Sequence, residues 1–122
     1  DSLHPEYINY HCDQNMMYQA ITDTYKRLSK ELALRIIPSG EVIQTLRSFP
    51  SFDYNNGGIS LCKDGFHMNF TYGRYALAAT WYVFFFRENL TGNSYLPPSE
   101  DHSLLLQERL DLIKEAVMSI VK

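Results

Sequence analysis

The tetrapeptide Asp64-Gly65-Phe66-His67 sets a carboxylate three residues before an imidazole. With Gly65 between them the chain can fold back tightly, so that the carboxylate accepts a hydrogen bond from one ring nitrogen. That contact fixes the tautomer and leaves the other nitrogen open to take a proton from a nucleophile. The same spacing also arises in polar loops where the aspartate caps a turn and the histidine sits at the surface. Spacing alone leaves both readings open.

Other candidates are weaker. Ser39, in Pro38-Ser39-Gly40-Glu41, stands where a strand would hand over to a helix, and its expected role is the N-cap. Ser60 lies in an apolar segment and reads as structural. His4, His11 and Asp13 do not share one helical face and make a poor metal set, and His102 falls in the first turn of a final helix. Arg74, beside the Asp-His element, either ligates an anion or ties the helix start to a loop carboxylate; the ion pair is the favoured expectation. No cofactor is expected. Asn69-Phe70-Thr71 and Asn89-Leu90-Thr91 match the glycosylation sequon, a tripeptide too common by chance to carry weight.

The elements that must position these residues are mostly helical. Met17, Ile21, Tyr25, Leu28 and Leu32 recur at intervals of three and four, which predicts an amphipathic helix from about Asp13 to Leu34. Ala33 to Pro38, around Leu34-Arg35-Ile36-Ile37, reads as a short buried strand, so that helix and strand form the αβ half of a βαβ unit. Val42, Ile43 and Leu46 predict a second helix, Glu41 to Ser48, ended by Pro50. Asn55-Asn56-Gly57-Gly58 is a turn, and Ile59 to Cys62 a brief apolar segment. A third helix, Arg74 to Arg87, is apolar nearly all round and is expected deep in the fold, with Trp81, Tyr82, Phe84, Phe85 and Phe86 as core. The last helix is expected from Ser99, its N-cap, with Glu100 and Asp101 in the first turn and Leu106, Leu110, Ile113, Val117 and Ile120 buried. Tyr7, Tyr10, Tyr18 and Tyr25 are expected half-buried, with a carbohydrate or acyl pocket as the alternative.

Composition bounds the rest. The chain has 122 residues, 45% of them hydrophobic, which suits a single domain or a domain fragment spanning 1–122 and argues against disorder. A net charge of −3 without a basic run excludes nucleic acid as a partner. No apolar stretch reaches the about 20 residues of a membrane span. Cys12 and Cys62 are expected as free, mostly buried thiols, although export would allow them to pair. Asp1 in place of a methionine suggests a removed leader or a piece of a longer polypeptide. The compartment stays open, with a secreted or periplasmic location slightly favoured.

The string Leu61-Cys62-Lys63-Asp64-Gly65-Phe66-His67-Met68, with Gly73-Arg74-Tyr75-Ala76 and Trp81-Tyr82 after it, resembles the C-terminal block of SGNH (GDSL-type) hydrolases. Ile37-Pro38-Ser39-Gly40 is similar to the last core strand of that superfamily, and the resemblance runs from about Asn15 to Leu96. It implies the C-terminal portion of a flavodoxin-like, three-layer α/β/α fold, helix-rich with one or two short parallel strands. It also implies ester hydrolysis through an acyl-enzyme, with a small esterified substrate, a carbohydrate among the options. His67 would be general base and then general acid, and Asp64 would orient it. The superfamily's Gly-Asp-Ser and Gly-x-Asn-Asp blocks do not occur in this sequence, so the implied chain lacks nucleophile and oxyanion hole and is inactive alone. The reading from another class is a non-enzymatic helical interaction module that self-associates. Pairing of Leu34–Ile37 in a sheet would favour the hydrolase, and coil there would favour the module. An unpaired strand edge would itself favour a homodimer.

Overall fold

A computed structural model describes residues 5–99 and 105–121. Among the described residues four α-helices follow a short 3-10 segment, Pro5–Tyr10: α1 (Gln14–Leu32), α2 (Ser39–Leu46), α3 (Tyr72–Phe86) and α4 (Leu105–Ile120). The sole ladder element among them is an isolated antiparallel bridge between Cys62 and Met68.

The core lies where α2, α3 and α4 meet. Val42 and Leu46 from α2, Ala76 and Thr80 from α3, and Leu110, Ile113 and Val117 from α4 are fully buried there. Phe52 closes one end, with its ring edge-on to Tyr72 at 5.5 Å. Thr80 is the polar residue in this layer, and its hydroxyl donates to the Ala76 carbonyl at 2.7 Å, so no donor is stranded.

Helix α1 forms as its periodicity predicts. Asp13 caps it, Oδ1 accepting from the N–H groups of Asn15 and Met16 at 2.7 and 2.9 Å. It ends at Ala33, which takes the left-handed conformation (φ 51°) while the Leu34 N–H returns to Ser29 O. Nonetheless α1 buries none of its residues. Ile21, Tyr25, Leu28 and Leu32 stay exposed, and an amide cluster of Gln14, Asn15 and Gln44 ties its first turn to α2.

The flavodoxin-like α/β/α expectation is therefore corrected: the described residues hold no sheet. Leu34–Ile37 is not a strand but an irregular connection from α1 to α2. A strand satisfies its backbone through a neighbour, and no described segment runs alongside this one. Leu34 is 61% exposed, Ile37 packs against the core, and Arg35 lies over the Phe84 ring at 4.3 Å. With no sheet, the strand-edge argument for a dimer falls too.

Three further expectations change. Helix α3 is not buried all round: Phe84 is in the core, while Trp81, Tyr82, Phe85 and Phe86 are exposed. Only α2 and α4 pack on it extensively, so a helix apolar on every side keeps an uncovered face. Ser99 is not helical; its hydroxyl meets Thr71 Oγ1 at 3.3 Å, and Glu100, Asp101 and His102 lie outside the described residues, as does His4. Cys12 is exposed and Cys62 half-buried, both as free thiols. No described helix is long and apolar enough to cross a membrane.

Candidate active site

The Asp-His loop is a closed seven-residue excursion. The Cys62–Met68 bridge pins its two ends, with the Lys63 N–H donating to His67 O at 3.0 Å. Inside it Asp64 Oδ1 accepts from the N–H groups of Phe66 and His67 at 2.9 and 2.8 Å. The same carboxylate meets the His67 ring: Nδ1 lies 3.0 Å from Oδ1 and 2.9 Å from Oδ2. The tight turn expected around Gly65 thus forms, and both residues of the pair come together. The backbone N–H of His67, then that of Phe66, hold the Asp64 carboxyl far below the usual carboxylate range; the His67 ring adds to this against slight desolvation.

This arrangement has a direct chemical consequence. Nδ1 facing a carboxylate is the donor tautomer at that nitrogen, so a neutral His67 carries its lone pair on Nε2. No described residue bonds Nε2, and the side chain is 65% exposed. His67 is therefore oriented from one side and open on the other.

The loop is seated by two residues whose roles spacing did not reveal. Asn69 donates its side-chain N–H to the Ser60 carbonyl, and its Oδ1 accepts from the N–H groups of Tyr72 and Gly73, both at 2.8 Å. Asn69 thus caps α3 and staples it to the segment before the loop. The Asn69 amide of the sequon is spent on this contact. Gly73 is the second: a Cβ there would sit 2.2 Å from Leu61 O and 3.0 Å from Met68 Cβ. Only glycine lets the first turn of α3 lie so close to the loop's base. A cap signal in sequence is a Ser, Thr, Asp or Asn immediately before the helix, a position held by Thr71, so neither Asn69 nor Gly73 announces its contact.

Neither candidate serine bonds the His67 ring. Ser60 Oγ accepts from the Cys62 N–H at 3.1 Å, a structural role as expected. Ser39 is not the N-cap of α2. That position falls to Pro38, and Ser39 Oγ accepts from Trp81 Nε1 at 3.2 Å. Trp81 is nine residues along α3 from Tyr72, or about 14 Å of helix. Arg74 makes no ion pair among the described residues. Its guanidinium lies 4.1 Å from the centroid of the Phe70 ring, on which Lys63 Nζ also sits at 5.4 Å.

Of the N-terminal tyrosines, Tyr7 and Tyr10 line an open cleft of about 1300 Å³ whose far wall includes Asp64, Gly65 and Phe66. Tyr25 is exposed, and Tyr18 is half-buried near Gly40. Asp13 is committed to its cap, and no group of metal-ligating residues assembles among the described residues.

Comparison with known proteins places the chain. Residues 1–104 match the family described as a domain of unknown function, DUF4886, and the chain belongs to that family. Neither the curated proteins nor the solved structures contain a match to it.

Proposed function

We propose that this DUF4886 protein carries the base half of an SGNH-type ester-hydrolysing site, with His67 as the proton carrier and Asp64 as its orienting carboxylate. One observation carries the reading: Nδ1 of His67 is held by both oxygens of Asp64, at 3.0 and 2.9 Å, while Nε2 is open. In the first step Nε2 takes the proton of a serine hydroxyl as its oxygen bonds to the ester carbonyl carbon, and the carbonyl electron pair moves onto oxygen. Asp64 stabilises the resulting imidazolium. Collapse of the adduct breaks the bond to the alcohol oxygen, which leaves with the proton from Nε2. Water then repeats the sequence on the acyl-enzyme and releases the acid. The Gly-Asp-Ser block of the superfamily does not occur in this sequence, and Ser39 and Ser60 hold other hydrogen bonds, so in this reading the nucleophile comes from outside residues 1–122.

The test compares hydrolysis of p-nitrophenyl acetate and of an acetylated sugar by three proteins. These are the natural polypeptide containing this sequence, its His67→Ala variant, and residues 1–122 alone. The expected results are turnover by the first, a loss of at least ~100-fold in the second, and none in the third. Equal turnover by the first two would remove His67 from the chemistry.

A second reading rests on a different observation. Leu34–Ile37 is coil, and α1 presents Ile21, Tyr25, Leu28 and Leu32 outward. These favour a non-enzymatic helical module that self-associates through α1, with Asp64 and His67 as loop residues. Mass in solution at several concentrations separates the two. A rise with concentration supports the module, and a constant monomer mass counts against it.

A further inference from the structure

A flank of α3, where Tyr75, Ala79 and Leu90 border the core, carries a groove of about 470 Å³, within the range of small-molecule sites. Its walls are Phe70, Tyr82, Leu90 and Tyr95, and Ala78 and Ala79 leave the space between them. The Tyr75 and Tyr95 rings lie parallel, 5° apart with centroids at 6.4 Å, which fixes the 90–98 segment against the helix as the groove's far wall. The structure is apolar along most of this length and charged at one end. Arg74 lies one helical turn before Ala78, on the same face. It and Lys63 share the exposed Phe70 ring, and neither has a carboxylate partner among the described residues. The acid that acts on Tyr75, Asp111, is already held by Lys114 at 3.0 Å.

A groove with aromatic walls and an unneutralised arginine in its lining, with Lys63 near the same Phe70 ring, complements one kind of small molecule. From this we propose that it binds an amphiphilic carboxylate, with its apolar body between Tyr82, Leu90 and Tyr95 and its anionic end on Arg74. A guanidinium stacked on a ring keeps its N–H edge free for such an anion, and the carboxylate supplies the charge the site lacks. This goes beyond the hydrolytic reading and stands whether or not His67 turns over an ester.

The test is a titration of the 15N-labelled chain with 4-phenylbutyrate and, separately, with 4-phenylbutan-1-ol, read by amide shifts in NMR. The acid is expected to move the amides of Ala78, Ala79, Tyr82 and Leu90, and to bind roughly tenfold more tightly than the alcohol. That is the scale of one partly solvated charge-assisted hydrogen bond. Arg74→Gln should erase the difference between the two probes. Ala78→Leu, at an exposed position that folding tolerates, should block both by filling the groove. The proposal is overturned if neither probe moves these amides, if the alcohol binds as well as the acid, or if Arg74→Gln retains the preference. Because binding is read without turnover, failure of the hydrolase reading leaves these outcomes unaltered.

Discussion

Helix α1 and the corner where residues 60–69 meet α3 are both legible as amphipathic or polar patterns, yet they are held in opposite ways. In α1 the apolar stripe is regular and its cap is sound, but Ile21, Tyr25, Leu28 and Leu32 stay exposed and an amide cluster ties the first turn to α2. At the corner, by contrast, buried Leu61 and Tyr72 are joined by specific polar and backbone contacts. Asn69 satisfies a carbonyl and two helix N–H groups, Gly73 permits a backbone approach no other residue allows, and the Asp64 loop closes on itself. A pattern for burial is thus not burial. A corner whose buried core and backbone N–H groups are both engaged fixes geometry more firmly than an unpartnered apolar face.

That contrast can be broken or sharpened by substitution. The largest effect is expected from Gly73→Ala. The new Cβ would meet Leu61 O at 2.2 Å, so α3 or the loop must shift, at a cost of about 1–3 kcal/mol in urea unfolding. A loss near zero would mean the corner yields easily. Next comes Asn69→Ala, which removes a helix cap and leaves the Ser60 carbonyl without its donor, for about 1–2 kcal/mol. Acid probes the loop itself. The folded Asp64 carboxyl is held below its unfolded value, so its stabilisation is full above about pH 4 and fades as pH falls toward the folded pKa. The Phe66 and His67 amides should therefore keep their shifts through pH 4 and move only well below it; a midpoint near 4 would show an unheld carboxylate. The smallest effect belongs to Leu28→Ala in α1, expected within about 0.5 kcal/mol of the parent. A loss of several times that, growing with protein concentration, would show the α1 face covered by a second copy and the comparison inverted.

Much of this was open to reading from residues. Helical spacing located all four helices, with shifts of up to two residues at the ends of α1, α2 and α3. The Asp64–His67 contact was one of two readings left open by the spacing and Gly65, and the resemblance of the surrounding string favoured it. What failed shares a cause. Leu34–Ile37 has the residue types of a buried strand, and the aromatic run of α3 those of a buried helix, but burial and pairing depend on neighbours that a local pattern does not contain. Likewise Ser39 has a capping residue's chemistry, but its hydroxyl is taken by Trp81, forty-two positions away. Arg74 was expected to pair with a carboxylate and instead stacks on Phe70. Asn69 was in view only as part of a sequon, because it stands two residues before the N-cap position, Thr71, and reaches the helix through its side chain.

The central claim is that Asp64 orients His67 so that Nε2 is the working nitrogen. Ring 15N shifts of His67, recorded at a pH where the imidazole is neutral, test it directly. The account predicts a proton on Nδ1 and a bare Nε2, with Asp64→Ala returning the ring to a mixture of tautomers. A ring protonated on Nε2 in the parent chain would contradict it.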